Sequence, residues 1–246
     1  MKSVAVIQAR VSSTRLPGKA LKDLCGHPLI FHVIERAKKI RGIDQVILAT
    51  GERPENQPLV EIAKSMGISH FTGSENDVLG RFQESVKNIS CDYIIRITGD
   101  NPFTDNYSAS MALDYSIKVN ADHCYIAGIP VGTGVEIIKK TALEKAYKNG
   151  LKPHHREHVT PYIKENPRLF KLVKYTAETE NPFPNLRLTV DTDEDFTLAE
   201  VLYKALYKGK PLTLTEVLNY VKMNPSIQEI NRDIKQRPLT HSSSNE

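Results

Sequence analysis

The apolar pattern of the first 120 residues leaves few folds open. Short apolar runs at Ser3–Gln8, Gln45–Thr50 and Asp92–Thr98 alternate with stretches at helical spacing. The first stretch carries Leu29, Ile30, Val33, Ile34 and Ala37; the second Leu59, Ile62, Ala63 and Met66; the third Val78, Leu79, Phe82, Val86 and Ile89. Strand–helix–strand alternation of this kind predicts an α/β fold: a mostly parallel central sheet with helices on both faces. Further strands are expected at Asp122–Ile126, Gly134–Ile138, Phe170–Tyr175 and Leu186–Val190. The stretch Asp122–Ile138, broken by Gly128, Pro130, Gly132 and Gly134, reads as an inserted β-ribbon. With no internal repeat and no Gly/Ser linker, the 246 residues read as a single domain over 1–225, with the insertion at about 122–165. Past Pro225 the apolar pattern weakens. Residues 226–246 read as a tail, with Thr240–Glu246 expected to be disordered.

Composition narrows the function classes. Hydrophobic residues are 40% and charged residues 25%, as in a soluble protein with a buried core. The net charge of +4 comes without a dense basic run, which argues against nucleic acid as a partner. The run in MKSVAVIQAR is too short for a signal segment, and no later run is long enough to cross a bilayer, so no membrane partner is expected. Cys25, Cys91 and Cys124 lack CxxC spacing, which opposes a disulfide framework or structural zinc. A cytoplasmic protein is the expectation.

In open α/β sheets ligands bind beyond the carboxyl ends of the strands. The loop after the first strand, within IQARVSSTRLPGKAL, carries Arg10, Ser12, Ser13, Thr14, Arg15, Gly18 and Lys19. It is neither GxxxxGK[ST] nor GxGxxG, yet it holds the parts of a polyphosphate cradle: guanidinium forks, hydroxyl donors and a glycine. Asp100, in TGDNP, follows the strand Tyr93–Thr98, and Asp191 follows Leu186–Val190. A turn accounts for Asp100, and a capping box from Thr192 to Asp195 accounts for the acids after Asp191, but capping leaves Asp191 itself unexplained. Two strand-end carboxylates suit a hard cation such as Mg²⁺.

Four blocks besides the opening loop, GSENDVLGRF, RITGDNPF, REHVTPYI and LTVDTDEDF, complete a pattern running from residue 3 to about 205. This pattern resembles the cytidylyltransferases that activate acidic sugars, the CMP-sialate and CMP-KDO synthetases. It is most similar to their spore-coat polysaccharide branch. The resemblance implies a Rossmann-like nucleotidyltransferase fold, a homodimer exchanging the ribbon, and Mg²⁺-dependent transfer of CMP from CTP with release of pyrophosphate. By the same resemblance Arg10, Ser12, Arg15 and Lys19 hold the triphosphate. Ala9, Arg10, Gly73, Ser74, Thr98 and Gly99 read the nucleotide, and Asp100 and Asp191 hold the metal. Lys19, Arg15 and Asp100 carry the chemistry, and His155 and Arg156 are acceptor candidates. The KDO pattern has Q-G-D where this chain has Thr98-Gly99-Asp100, so the acceptor stays open among acidic sugars and phosphonates.

Two other classes compete. Asp191-Thr192-Asp193 also reads as the DxD of nucleotide-sugar-dependent glycosyltransferases, although it lies late in the chain at a helix cap. A non-catalytic nucleotide-binding module would leave the strand-end carboxylates without a role. HHREH matches the zinc pattern H-x-x-E-H, but Pro161 breaks the helix such a site needs, and Thr160-Pro161 is expected to begin a new one.

Overall fold

The computed structural model of the chain describes residues 1–178 and 181–236. In chain order the elements are β1 (Ser3–Gln8), β2 (Asp23–Leu24), β3 (His27–Pro28), α1 (Leu29–Ala37), β4 (Gln45–Gly51), α2 (Gln57–Ser65), β5 (Ser69–Gly73) and α3 (Val78–Val86). Then come β6 (Tyr93–Thr98), α4 (Asn106–Val119), β7 (His123–Ala127), β8 (Glu136–Lys139), α5 (Lys140–Asn149), α6 (Pro153–His158) and α7 (Pro161–Glu165). The last are β9 (Leu172–Thr176), α8 (Asp193–Leu206) and α9 (Leu214–Met223).

Seven strands form one sheet in the order β5-β4-β1-β6-β8-β7-β9, and only β8 runs against its neighbours. Alternate residues of β1 point into two cores. Ala5 and Ile7 share a core with buried residues of α1, α2, α4, α8 and α9; Val4 and Val6 share one with buried residues of α3, α5 and α7. The stripe from Leu29 to Ala37 read from helical spacing is fully buried. Strand order reverses between β1 and β6, which pair in parallel with Gln8 opposite Thr98. Their following loops diverge there and open a cleft.

Four expectations are corrected or refined. Leu186–Val190 is an extended segment with no ladder of its own. Its backbone N–H groups go to loops instead, Leu188 to Val131 O (2.7 Å) and Val190 to Asp100 O (2.9 Å). The ribbon strands β7 and β8 do pair antiparallel, Cys124 opposite Ile137, but they lie inside the main sheet, flanked by β9 and β6. Strand β5, polar along most of its length, is an unexpected edge strand. Finally, the chain does not leave the body at Pro225: a 3-10 turn over Pro225–Ile230 packs on α8, and Asn231 is buried. Thr240–Glu246, expected to be disordered, lies outside the described residues.

Candidate active site

Loops after β1, β5 and β6, with α6 as a wall, enclose a cleft of about 1160 Å³. Gly99 lets two of these loops meet. Its N–H donates to Gln8 O at 2.7 Å, and a Cβ there would stand 2.7 Å from that of Ala9. The opening loop is anchored from beneath, where Val11 N donates to Asn56 Oδ1 (2.8 Å) and Leu16 is buried in the core. So anchored, it presents Ala9, Arg10, Ser12, Ser13, Thr14, Arg15 and Lys19 to the cleft. Arg10 lines the cleft, and among the described residues it makes no ion pair.

The floor is an ionic knot. Lys19 Nζ donates to Asp100 Oδ2 (2.9 Å), Asp191 Oδ1 (2.9 Å) and the Val190 carbonyl (2.8 Å). Arg15 Nη2 is 3.0 Å from the same Asp191 oxygen. Burial would lower the Lys19 pKa, but Asp100 and Asp191 outweigh it and hold it above the usual lysine value. Burial would likewise raise Asp191; Lys19, then Arg15 and Arg187, keep that carboxyl below its usual range. Two carboxylates converging on one ammonium are also the oxygen donors a hard divalent cation takes, so the residues present fit Mg²⁺.

The other expected residues divide. Ser74, Thr98 and Gly99 line the cleft, whereas Gly73, the last residue of β5, does not. Arg156 lines it, with Nη1 donating to Asp77 Oδ2 (3.3 Å) and Nη2 to Tyr147 O (3.2 Å). His155 points the other way. It is buried against α7, where its Nε2 meets Glu165 Oε2 at 2.9 Å, so the structure does not support it as an acceptor ligand. His154, Glu157 and His158 are the neighbours that reach the cleft with Arg156.

The histidine cluster also departs from the zinc pattern: His154 and His155 share Glu165, which lies outside HHREH. Lys152 N–H donates to His155 Nδ1 (3.3 Å), leaving the proton on Nε2, the nitrogen that would have to bind a metal. A new helix does begin at Pro161, although the Thr160 hydroxyl bonds Glu136 instead of capping it. Asp193 is turned out of the cleft toward Lys22 (3.3 Å), so the two acids of DxD do not converge.

Three charged residues that anchor the surrounding structure are not marked by the sequence. Arg81, buried on α3, braces the wall by donating to Ser74 O (2.6 Å). Arg187 stands behind Asp191, with its Nη2 2.6 Å from Oδ2. Outside the cleft lining, Glu136 accepts from Arg96 (2.5 Å), His123 (3.1 Å) and Thr160 (3.1 Å), and its Oε1 lies 2.5 Å from the Lys164 ammonium. Glu136 has its partners in distant segments, and Arg187 reaches past its near partners Asp191 and Asp195 to Gln236, so no local pattern marks either role.

The sequence matches the cytidylyltransferase family over residues 4–221. The chain belongs to the cytidylyltransferase family. It is thus a nucleotidyltransferase, and its fold is the one the family resemblance implied. It is 38% identical to an uncharacterized protein of Methanocaldococcus jannaschii, covering 96% of this chain and 97% of that one. It is 30% identical to the spore coat polysaccharide biosynthesis protein SpsF of Bacillus subtilis, over 89% of this chain and 94% of SpsF. A cytidylyltransferase structure from Leptospira borgpetersenii superposes with a TM-score of 0.86 at 31% identity, covering 92% of this chain and 96% of that one. A CMP-KDO synthetase solved with CTP shares the fold, with a TM-score of 0.66 at 18% identity over 83% of this chain and 99% of that one. Among the described residues no helix is long and apolar enough to cross a membrane.

Proposed function

We propose that this cytidylyltransferase moves CMP from CTP to an acidic sugar or a related acceptor such as a phosphonate. Pyrophosphate leaves, and the product feeds surface polysaccharide synthesis in the cytoplasm. One observation carries the reading: Asp100 and Asp191, 81 and 172 residues from Lys19, meet on its ammonium at the mouth of β1. An acceptor oxygen attacks the α-phosphorus, the bond to the β-phosphate breaks, and the electron pair leaves with pyrophosphate. In such transfers the protein mainly positions groups and neutralises charge. Arg10, Arg15 and Lys19 hold the β- and γ-phosphates and the charge that grows on them. Gly99 and Thr98 abut the nucleotide. Asp100 and Asp191 would hold Mg²⁺, which when bound neutralises phosphate oxygens.

Arg156 is the acceptor's cation, and His154 and His158 line the same wall. The name of the Bacillus relative, spore coat polysaccharide biosynthesis protein, supports a glycan precursor as product. The test is mass spectrometry of the products formed from CTP, Mg²⁺ and a panel of sugar acids and phosphonates. A CMP conjugate of one panel member is expected. CTP hydrolysed or untouched across the panel, with the same outcome for ATP, GTP and UTP, would overturn the reading.

A further inference from the structure

The two oxygens of Asp191 have different partners. Oδ1 faces the cleft, toward Lys19 (2.9 Å) and Arg15 (3.0 Å). Oδ2 is turned back and held by Arg187 Nη2 at 2.6 Å. Arg187 is buried, and each side of its fork is committed. Nε donates to both oxygens of Asp195 (3.0 and 3.2 Å), and Nη1 donates to Gln236 Oε1. The last partner lies far along the chain, past the family match that ends at residue 221.

Asn231, only 4% exposed, belongs to the same stretch. Its Nδ2 donates to the Arg187 carbonyl (3.0 Å) and to Asp195 Oδ1 (2.8 Å), so it ties both the backbone of Arg187 and its counterion. Gln236 is exposed and lines the cleft with Asp191.

We infer that the arm Asn231–Gln236 is a positioning element of the nucleotidyl site: through Arg187 it pins Oδ2 of Asp191 and so aims Oδ1 into the cleft. A planar guanidinium bonded on every side cannot rotate without breaking a charge-assisted bond. Removing the Gln236 acceptor frees one corner of the fork, and the carboxylate it holds gains freedom to turn. The inference rests on the reading of Asp100 and Asp191 as the cation pair. Outer partners of metal-holding carboxylates typically change metal affinity by about 10–100-fold.

The experiment uses the full chain with Mn²⁺ as probe and a non-hydrolysable CTP analogue at saturation. Bound Mn²⁺ is read from the loss of the free-ion electron paramagnetic resonance signal. Gln236→Ala should weaken Mn²⁺ binding about tenfold, the lower end of that range. Its melting temperature should match the parent. Gln236→Glu, which keeps an acceptor for Arg187, should restore binding. Asn231→Ala should weaken Mn²⁺ binding at least as much. Parent-like Mn²⁺ binding in Gln236→Ala would overturn the inference. So would a loss in Asn231→Ala seen only together with a collapse in melting temperature. If the parent itself binds no Mn²⁺ beside the analogue, the cation pair is refuted and this inference falls with it.

Discussion

Replacing Lys19 with methionine removes one ammonium from between two carboxylates while keeping the aliphatic stem. Nζ stands 2.9 Å from Asp100 Oδ2 and 2.9 Å from Asp191 Oδ1. Without it the carboxylates face each other roughly 5 Å apart, and at an effective dielectric of about 20 they repel by about 3 kcal/mol. Arg15 and Arg187 stay on Asp191 and offset part of this. We expect a net loss of about 2 kcal/mol of stability at about pH 8, measured by urea unfolding.

The sign of the pH dependence separates this cause from lost packing. In the parent, the depressed Asp191 pKa contributes stability above the unfolded value of 3.8 that fades as pH falls through the lower folded value. The raised Lys19 pKa contributes fully below 10.5 and is lost as pH rises through its folded value, so neither group titrates in the parent between about pH 5 and 8. In the variant the repulsion disfavours carrying both charges, so protonating one carboxyl relieves it and the variant regains stability as pH falls. The gap between parent and variant should therefore shrink on going from about pH 8 to about pH 5. Turnover should drop about 100–1000-fold, as for loss of one preorganised charge donor. An equal gap at both pH values would refute the repulsion argument.

Glu136→Gln leaves Arg96 and Lys164 without their shared counterion and should cost about 3 kcal/mol in urea unfolding near neutrality. Burial would raise the Glu136 pKa; Arg96, then His123 and Lys164, hold it well below 4.5. Its contribution is thus present above 4.5 and lost as pH falls through the folded value, so the gap to the variant closes in acid. Gly132→Ala adds a Cβ at φ 90°, 2.1 Å from Thr189 N, and should cost about 2–3 kcal/mol by thermal unfolding. Arg156→Ala should raise the acceptor KM about tenfold or more and leave the KM for CTP unchanged in steady-state assays.

Much of this molecule was legible where the chemistry is local. The α1 stripe, the loop from Arg10 to Lys19 and the strand-end position of Asp100 all follow from spacing and turn residues, and the structure brings Lys19, Asp100 and Asp191 together. Reading failed where a partner is distant. Leu186, Leu188 and Val190 alternate and are buried as a strand would be, yet their hydrogen bonds go to Val131 and Asp100, which no window around them contains. A short edge strand such as β5 needs no apolar face and so gave no signal. The capping box from Thr192 to Asp195 is present, but capping does not exhaust Asp195, which also holds Arg187. His155 and Arg156 are adjacent in a short helix, so successive side chains point about 100° apart and only Arg156 reaches the cleft.

The central claim is attack at the α-phosphorus of CTP, and label transfer tests it most directly. CTP carrying one label on the α-phosphate and another on the γ-phosphate is incubated with Mg²⁺, the chain and the acceptor panel. The α label is expected in a CMP–acceptor conjugate and the γ label in pyrophosphate, in equal amounts. Appearance of the γ label as orthophosphate, or an α label that never leaves CTP with any acceptor, would contradict it.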